Sequence, residues 1–255
     1  MIVRASESQH WYTREGEPAY TVTNKDGHQR PTTLRDARKL NLIPSVTTII
    51  KCAASPGLEA WKLQQMMLAA MTLPRAPEEP EESFIARVQA DSKEQAKKAA
   101  ERGSEVHAAL ESFFETRHVT SKFSGAVLGT EDQIVKVFGD LEWCTEKAFG
   151  HTQGFGGKVD LHSRDGNGVV IDFKTKEFTS DQVEKAQGFD EHLMQLAAYR
   201  VGLDLPDAQC ANVFVSVSEP GLVVVREWSQ EDLKRGWAMF ESLLNYWYAK
   251  SGLER

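Results

Sequence analysis

The stretch "GFGGKVDLHSRDGNGVVIDFKTK", residues 154–176, predicts a β-hairpin. Two runs rich in apolar and β-branched residues flank "RDGNG", whose Gly and Asn residues tolerate the positive φ angles of a tight turn. If the turn is symmetric about Gly166, residues equidistant from it face each other, so Asp160 faces Asp172. Lys174 then shares a face with Asp172, because strand side chains alternate. The hairpin therefore carries charged groups among its best core positions.

The two carboxylates of the hairpin predict a metal site. At a Cβ separation of about 5 Å they repel each other, and burying them is costly unless a cation neutralises them. Oxygen ligands favour Mg²⁺ or Mn²⁺. Lys174 beside such an ion could hold or deprotonate a water directed at a phosphorus atom, as phosphodiester hydrolysis requires. The alternative is an exposed hairpin in which Asp160 and Lys174 form a surface ion pair worth at most about 1 kcal/mol.

Composition limits the class of protein but not its partner. The chain has 255 residues, 41% of them hydrophobic, which suits one large domain. A net charge of -7 argues against a uniformly basic surface, although a local basic groove remains compatible with it. Three scattered cysteines and the absence of a bilayer-length apolar run favour a soluble, cytoplasmic protein without a membrane partner.

The remaining patterns predict an α/β fold. Helices are expected after Thr32 or Thr33, after Ser45 and from Pro56. Further expected elements are a short hairpin at 9–24, helices at 92–116 (interrupted at Gly103), 130–144, 180–203 (broken near Gly188) and 229–250, and strands at 211–218 and 222–228. Together they predict a central mixed β-sheet flanked by helices. We expect a single domain, 1–255, with an N-terminal β-hairpin and helical region at 1–91 and a core at 92–255.

Five motifs in a fixed order resemble one enzyme superfamily. They are "RGSEVHAALE" with His107, "CTEKAF" with Glu146, "GGKVD" with Gly157 and Asp160, "IDFKTK" with Asp172 and Lys174, and "QLAAY" with Gln195 and Tyr199. This order resembles the RecB-like branch of the PD-(D/E)xK nuclease superfamily. Upstream, "PSVTTIIK" and "LEAWK" make the chain similar to the mitochondrial genome maintenance exonuclease and to phage-encoded exonucleases.

The resemblance implies a restriction-endonuclease-like core and a metal-dependent DNA exonuclease acting on single strands or strand ends. It implies metal ligation by Asp160, Asp172, the backbone carbonyl of Phe173 and His107, with Lys174 positioning the attacking water. A neutral imidazole suits Mn²⁺ better than Mg²⁺. Taken without the resemblance, a helical histidine is more often a surface or core residue.

Further site residues have both a functional and a structural interpretation. Glu146 could hold a second metal, orient a water, or be a solvated carboxylate. Gln195 and Tyr199 share a helical face, and the resemblance implies that they hold phosphate oxygens or the scissile nucleotide. Without it, they would be the polar edge and the core of an amphipathic helix.

Three more residues are candidates for DNA binding. Ser45 and Thr47 could donate to a phosphate at a helix N-terminus or simply cap that helix. Arg102, with the lysines at 93, 97 and 98, could line a groove that follows the strand, or belong to a solvated helix face.

Some expected properties concern cofactors, partners and rival functions. Three scattered cysteines cannot hold the iron–sulfur cluster found in some relatives, so none is expected. No phosphate-binding loop is present, so unwinding would need a helicase, single-strand-binding or recombination partner. A structure-specific endonuclease and a non-catalytic DNA-binding or inhibitory module are the alternatives.

Overall fold

The structure is a computed structural model that describes residues 10–255. The chain forms two compact units. The first comprises the described part of Met1–Ala53 together with Ala109–Arg255, and the second is Ala54–Ala108. The predicted boundary at residue 91 falls inside the second unit, within one continuous helix.

The described elements comprise nine strands and seven α-helices. The strands are β1 (Trp11–Tyr12), β2 (Thr21–Thr23), β3 (Gln29–Pro31), β4 (Ile43–Pro44), β5 (Cys144–His151), β6 (Phe155–Ser163), β7 (Val169–Lys176), β8 (Gln209–Ser216) and β9 (Val223–Trp228). The helices are α1 (Leu34–Leu40), α2 (Val46–Ile50), α3 (Pro56–Thr72), α4 (Glu81–Thr116), α5 (Ser124–Phe138), α6 (Asp190–Gly202) and α7 (Gln230–Ser251).

The central sheet has five strands in the order β5-β6-β7-β8-β9. Strands β7 and β8 run parallel and the other neighbours run antiparallel, so the sheet is mixed. Helix α6 contacts β5 to β8, α2 and α7 pack against α6, and α5 contacts β8 and β9. The predicted fold class, a mixed sheet flanked by helices in an α/β protein, is confirmed.

The predicted hairpin is β6 and β7. Leu161 pairs with Ile171, and the next two pairs keep residues equidistant from Gly166 opposite each other. Gly166 and Gly168 have φ angles of 60° and 87°, as the turn chemistry predicted. The ladder ends at the Leu161–Ile171 pair, so the two strands are no longer paired backbone to backbone where Asp160 and Asp172 lie.

Local signals located several helix starts, but α5 spans Ser124–Phe138 instead of the expected 130–144, and Cys144 already begins β5. Thr33 caps α1 and Ser45 caps α2, and the 180–203 segment breaks into a 3₁₀ helix, Ser180–Lys185, followed by α6. The prediction for α4 was wrong in two respects: the helix begins at Glu81 instead of residue 92, and it continues through Gly103. No helix within residues 10–255 combines the length and the apolar character needed to cross a membrane.

Candidate active site

Asp172 is the buried centre of the candidate site. Its side chain is 2% exposed, and strand alternation on β7 directs it to the same face as Val170 and Lys174. The Lys174 ammonium lies 2.8 Å from Asp172 Oδ1 and 2.7 Å from Oδ2. Asn212 Nδ2 donates to Asp172 Oδ2 at 2.8 Å. A buried carboxylate is stabilised when it receives hydrogen bonds and a cation in this way.

Lys174 links strand β7 to helix α6. Its Nζ atom donates to Gln195 Oε1 at 3.1 Å, and Gln195 Nε2 donates to the Tyr199 hydroxyl at 2.9 Å. Gln195 and Tyr199 are four residues apart, so they project from the same side of the helix. The structure therefore brings together four residues that the sequence placed in one site.

The Tyr199 hydroxyl lies in an apolar and acidic environment. Burial, followed by the charges of Asp172 and Asp160, raises the pKa of Tyr199 well above its ordinary value. Its ring packs edge-on to Phe149, with 6.1 Å between ring centroids. A Cβ atom at Gly157 would lie 2.8 Å from the Phe149 ring and 2.9 Å from the Tyr199 ring, so the glycine permits this packing.

Asp160 lies just beyond the end of the hairpin ladder. Its Oδ2 atom accepts a hydrogen bond of 2.8 Å from the backbone N–H of Phe173. The symmetric register is as predicted, but Asp160 and Asp172 are not a ladder pair. Because Phe173 directly follows Asp172, the hydrogen bond of Phe173 with Asp160 places the two aspartates in the same part of the first unit.

Glu146 occupies an irregular position on β5. Its φ angle is 49°, which is uncommon for a residue other than glycine. Its neighbours Thr145 and Lys147 pair with Leu161 and Val159, the residues on either side of Asp160. The Glu146 carboxylate forms an ion pair with Lys158. A role for Glu146 in holding a metal or orienting a water stays a prediction.

Ser45 and Thr47 have a structural role in the described molecule. Ser45 is buried, and its Oγ atom accepts a 3.0 Å hydrogen bond from Thr48 N at the start of α2. The hydroxyls of Ser45 and Thr47 are 3.0 Å apart, and the backbone of Ser45 bridges to Gly156. The capping interpretation is therefore observed for Ser45, and contact of Ser45 or Thr47 with a phosphate stays a prediction.

His107 and Arg102 lie on the part of α4 that belongs to the second unit. His107 is partly buried and Arg102 is exposed. On the same helix, the Lys97 ammonium lies 3.6 Å from the Glu101 carboxylate, and the Lys98 ammonium lies 2.9 Å from the Glu94 carboxylate. These pairs fit the solvated-helix interpretation of the lysines. Roles for His107 and Arg102 stay predictions.

The donor chemistry fits a hard divalent ion. Asp160, Asp172 and the carbonyl of Phe173 provide the oxygen atoms that Mg²⁺ and Mn²⁺ prefer. Within residues 10–255, no group of three or more His, Cys, Asp or Glu side chains lies close enough together to bind one metal ion. The metal site therefore stays a prediction, and it rests on the two aspartates.

Sequence reasoning missed Asn212, which donates to Asp172, and Trp228, which donates to Asn212. Asn212 is fully buried on β8, directly beside Asp172 in the parallel register. Its Oδ1 atom accepts a 2.8 Å hydrogen bond from Trp228 Nε1. The only sequence signal for Asn212 was a single amide within the apolar run "ANVFVSV".

Comparison with known proteins gives little guidance. No protein-family model and no curated protein match the sequence. The structure of a protein named SSO0001 aligns over 73% of this chain and 86% of its own, with 16% identity and a TM-score of 0.29. An alkaline exonuclease (LHK-Exo) from Laribacter hongkongensis aligns over 76% of this chain and 98% of its own, with 13% identity and a TM-score of 0.34. Agreement this low leaves the function to be argued from the residues of the site.

Proposed function

We propose that this chain is a Mg²⁺- or Mn²⁺-dependent nuclease that hydrolyses phosphodiester bonds in DNA. The observation that carries the proposal is the contact of Lys174 with the buried Asp172, which extends through Gln195 to Tyr199. The alternative for this pattern is an exposed hairpin with a surface ion pair between Asp160 and Lys174. It does not account for Lys174 contacting Asp172 instead, nor for Asp172 being 2% exposed. A chain of buried and partly buried polar groups beside a second carboxylate is typical of a catalytic site.

Each of these residues has a chemical task in the proposed reaction. Lys174, held between a carboxylate and an amide oxygen, directs its ammonium toward a phosphate oxygen or the attacking water. The raised pKa of Tyr199 keeps its hydroxyl protonated, so it can donate a hydrogen bond to the substrate. A divalent ion held by Asp160, Asp172 and the Phe173 carbonyl would supply activation of water and stabilisation of phosphate charge.

The finer features of the proposal come from the motif order. Similarity to the RecB-like branch supports an exonuclease that acts on single-stranded DNA or strand ends. We further propose a role in recombination, repair or phage genome processing, in the cytoplasm of a bacterial or phage-infected cell. A helicase, a single-strand-binding protein or a recombination protein would then supply the single strand.

The proposal is tested by digestion of end-labelled linear and closed circular single-stranded DNA. Each substrate is incubated with Mg²⁺, Mn²⁺ or EDTA, using the wild type, Asp172→Ala and Lys174→Gln. The matched control is Asp207→Ala, which removes an exposed aspartate. We expect metal-dependent loss of linear DNA alone with the wild type and the control, and no loss with either site variant.

Other outcomes have definite meanings. Cutting of circles would replace the exonuclease with an endonuclease, because a circle has no end. Full activity of Asp172→Ala would remove the hydrolytic role of the hairpin. Binding without turnover under every metal condition would favour a non-catalytic DNA-binding or inhibitory module.

A further inference from the structure

A second cation lies next to the candidate catalytic residues. Lys176 is two residues after Lys174 on β7, so both side chains project from the same face of the sheet. Burial, and after it the charges of Lys174 and Lys176, lower the pKa of His192 on α6 to about 3. Lys174 and Lys176 therefore flank the same side of the helix that also carries Gln195.

Lys176 differs from Lys174 in its partners. Among the described residues it forms no ion pair with a carboxylate, whereas Lys174 contacts Asp172. Lys176 is partly buried, and this burial lowers its pKa. Its ammonium lies 5.1 Å from the centroid of the Phe189 ring. A partly desolvated cation without an acidic partner is suited to bind an anion from solution.

Phe189 is an aromatic side chain that its helix does not require. It immediately precedes α6, and its backbone N–H is capped by His192 Nδ1 at 3.2 Å, so the ring is not needed for this contact. The side chain is 41% exposed. An exposed ring beside a cation can stack on a nucleobase and at the same time support a phosphate contact.

The segment before Phe189 is held firmly against the sheet. Arg226 Nε donates to the carbonyl of Ala186 at 2.8 Å. Gly188 lies so close to Trp228 that an added Cβ would be 2.4 Å from the indole ring. Because these contacts fix the turn, the Phe189 ring is presented by a preorganised support.

We propose that Phe189 and Lys176 form a nucleotide subsite of the active site, in which the ring stacks on an unpaired base and the ammonium binds a backbone phosphate. The inference deepens the proposed function and rests on it for the substrate class. It predicts that the site selects a strand with unstacked bases, because a base within a duplex does not present its face to a ring.

The test measures equilibrium binding of fluorescein-labelled oligothymidylate by anisotropy in EDTA, so that no hydrolysis occurs. We expect Phe189→Ala to weaken binding by roughly 5- to 150-fold, the range for loss of one base–aromatic stack. Binding of an abasic strand of equal length should not change. Phe189→Tyr should restore tight binding of oligothymidylate. Lys176→Gln should reduce the slope of log affinity against log salt by about 0.7, the value for one lost phosphate contact on a single strand.

The matched control is Tyr246→Ala. Tyr246 is also an exposed ring with a lysine over its face, since it is 52% exposed and lies 5.6 Å from the Lys250 ammonium. We expect this variant to bind like the wild type. Unchanged binding by Phe189→Ala, an equal loss on the abasic strand, or an equal loss in Tyr246→Ala would overturn the subsite.

Digestion assays separate this inference from the proposed function. If the wild type digests DNA but Phe189→Ala binds normally, the subsite is wrong and the nuclease stands. If no metal supports turnover but Phe189→Ala selectively loses base-dependent binding, the nuclease is wrong and the subsite stands as a binding site.

Discussion

Asn212 offers a quantitative test of how the sheet supports its buried acid. The amide donates to Asp172 and accepts from Trp228, each at 2.8 Å, and none of its surface is exposed. Asn212→Leu removes the donor to a charged group, which contributes about 1.5–3 kcal/mol, and leaves the indole N–H without an acceptor. We expect the variant to lose about 3 kcal/mol of unfolding free energy at neutral pH.

Asn212→Asp separates electrostatics from packing at the same position. The new carboxylate keeps an acceptor for Trp228 but faces Asp172, so one carboxyl of the pair has its folded-state pKa raised above its ordinary value. A group with a raised folded pKa adds stability below its unfolded pKa, and this stability is lost as the pH rises through the folded pKa. The variant should therefore be least stable at neutral pH and recover on acidification.

Urea unfolding followed by tryptophan fluorescence at about pH 7.5 and about pH 5 measures both effects. Trp228→Phe, alone and combined with Asn212→Leu, completes a double-mutant cycle, with an expected coupling of about 1–2 kcal/mol. Wild-type stability of Asn212→Asp at neutral pH would refute the reasoning. So would a loss in Asn212→Leu below about 0.5 kcal/mol, the range of ordinary surface substitutions.

Three further perturbations test other parts of the first unit. Gly157→Ala should lose about 1–3 kcal/mol of stability, because its Cβ atom would meet two aromatic rings. The control is Gly57→Ala, whose Cβ atom would have no neighbour within 4 Å, and it should not lose stability. Thermal melts compare the two variants. His192→Gln keeps a hydrogen-bond acceptor but does not titrate. The pKa of His192 is about 3 in the folded protein, against an ordinary value of 6.5. The wild type should therefore lose stability as the pH falls from about 6.5 toward 3, at up to about 1.4 kcal/mol per pH unit, and the variant should lose less. A pH series of melts in which both proteins lose stability equally would contradict this. Asp36→Asn should cost about 1 kcal/mol at neutral pH by weakening the cap of α1 and the Arg30 ion pair. Arg30 holds the pKa of Asp36 below its ordinary range, so this contribution should fade as the pH falls below about 4, and a difference that persists in acid would exclude the mechanism.

Local chemistry explains why the hairpin could be predicted. The turn needs positive φ angles at Gly166 and Gly168, and glycine adopts them without strain. Alternation along β7 then fixed the common face of Asp172 and Lys174. Thr33 and Ser45 were predictable for the same reason, since a helix cap depends on only a few consecutive residues.

The contacts that the sequence did not reveal depend on distant segments. Asn212 meets Asp172 only because β7 and β8 pair in parallel, which no local pattern specifies. The early start of α4 was missed because prolines and acids before Ser92 were interpreted as a connection. Acidic residues such as Glu81 and Glu82 also stabilise a helix N-terminus. Gly103 costs only about 1 kcal/mol in a helix, too little to interrupt one of 36 residues.

The pairing of Ser45 with Gly156 has a consequence for the order of folding. The early segments find their partners late in the chain: Ser45 bridges to Gly156, Arg38 donates to the carbonyl of Ser251 at 3.0 Å, and the Trp11 ring packs 5.9 Å from that of Trp247. Contacts so distant in sequence slow folding, because a long loop must close before they form. During synthesis, β6 and α7 must leave the ribosome before these contacts exist. We therefore expect residues 10–50 to dock onto the rest of the first unit last, although they are made first.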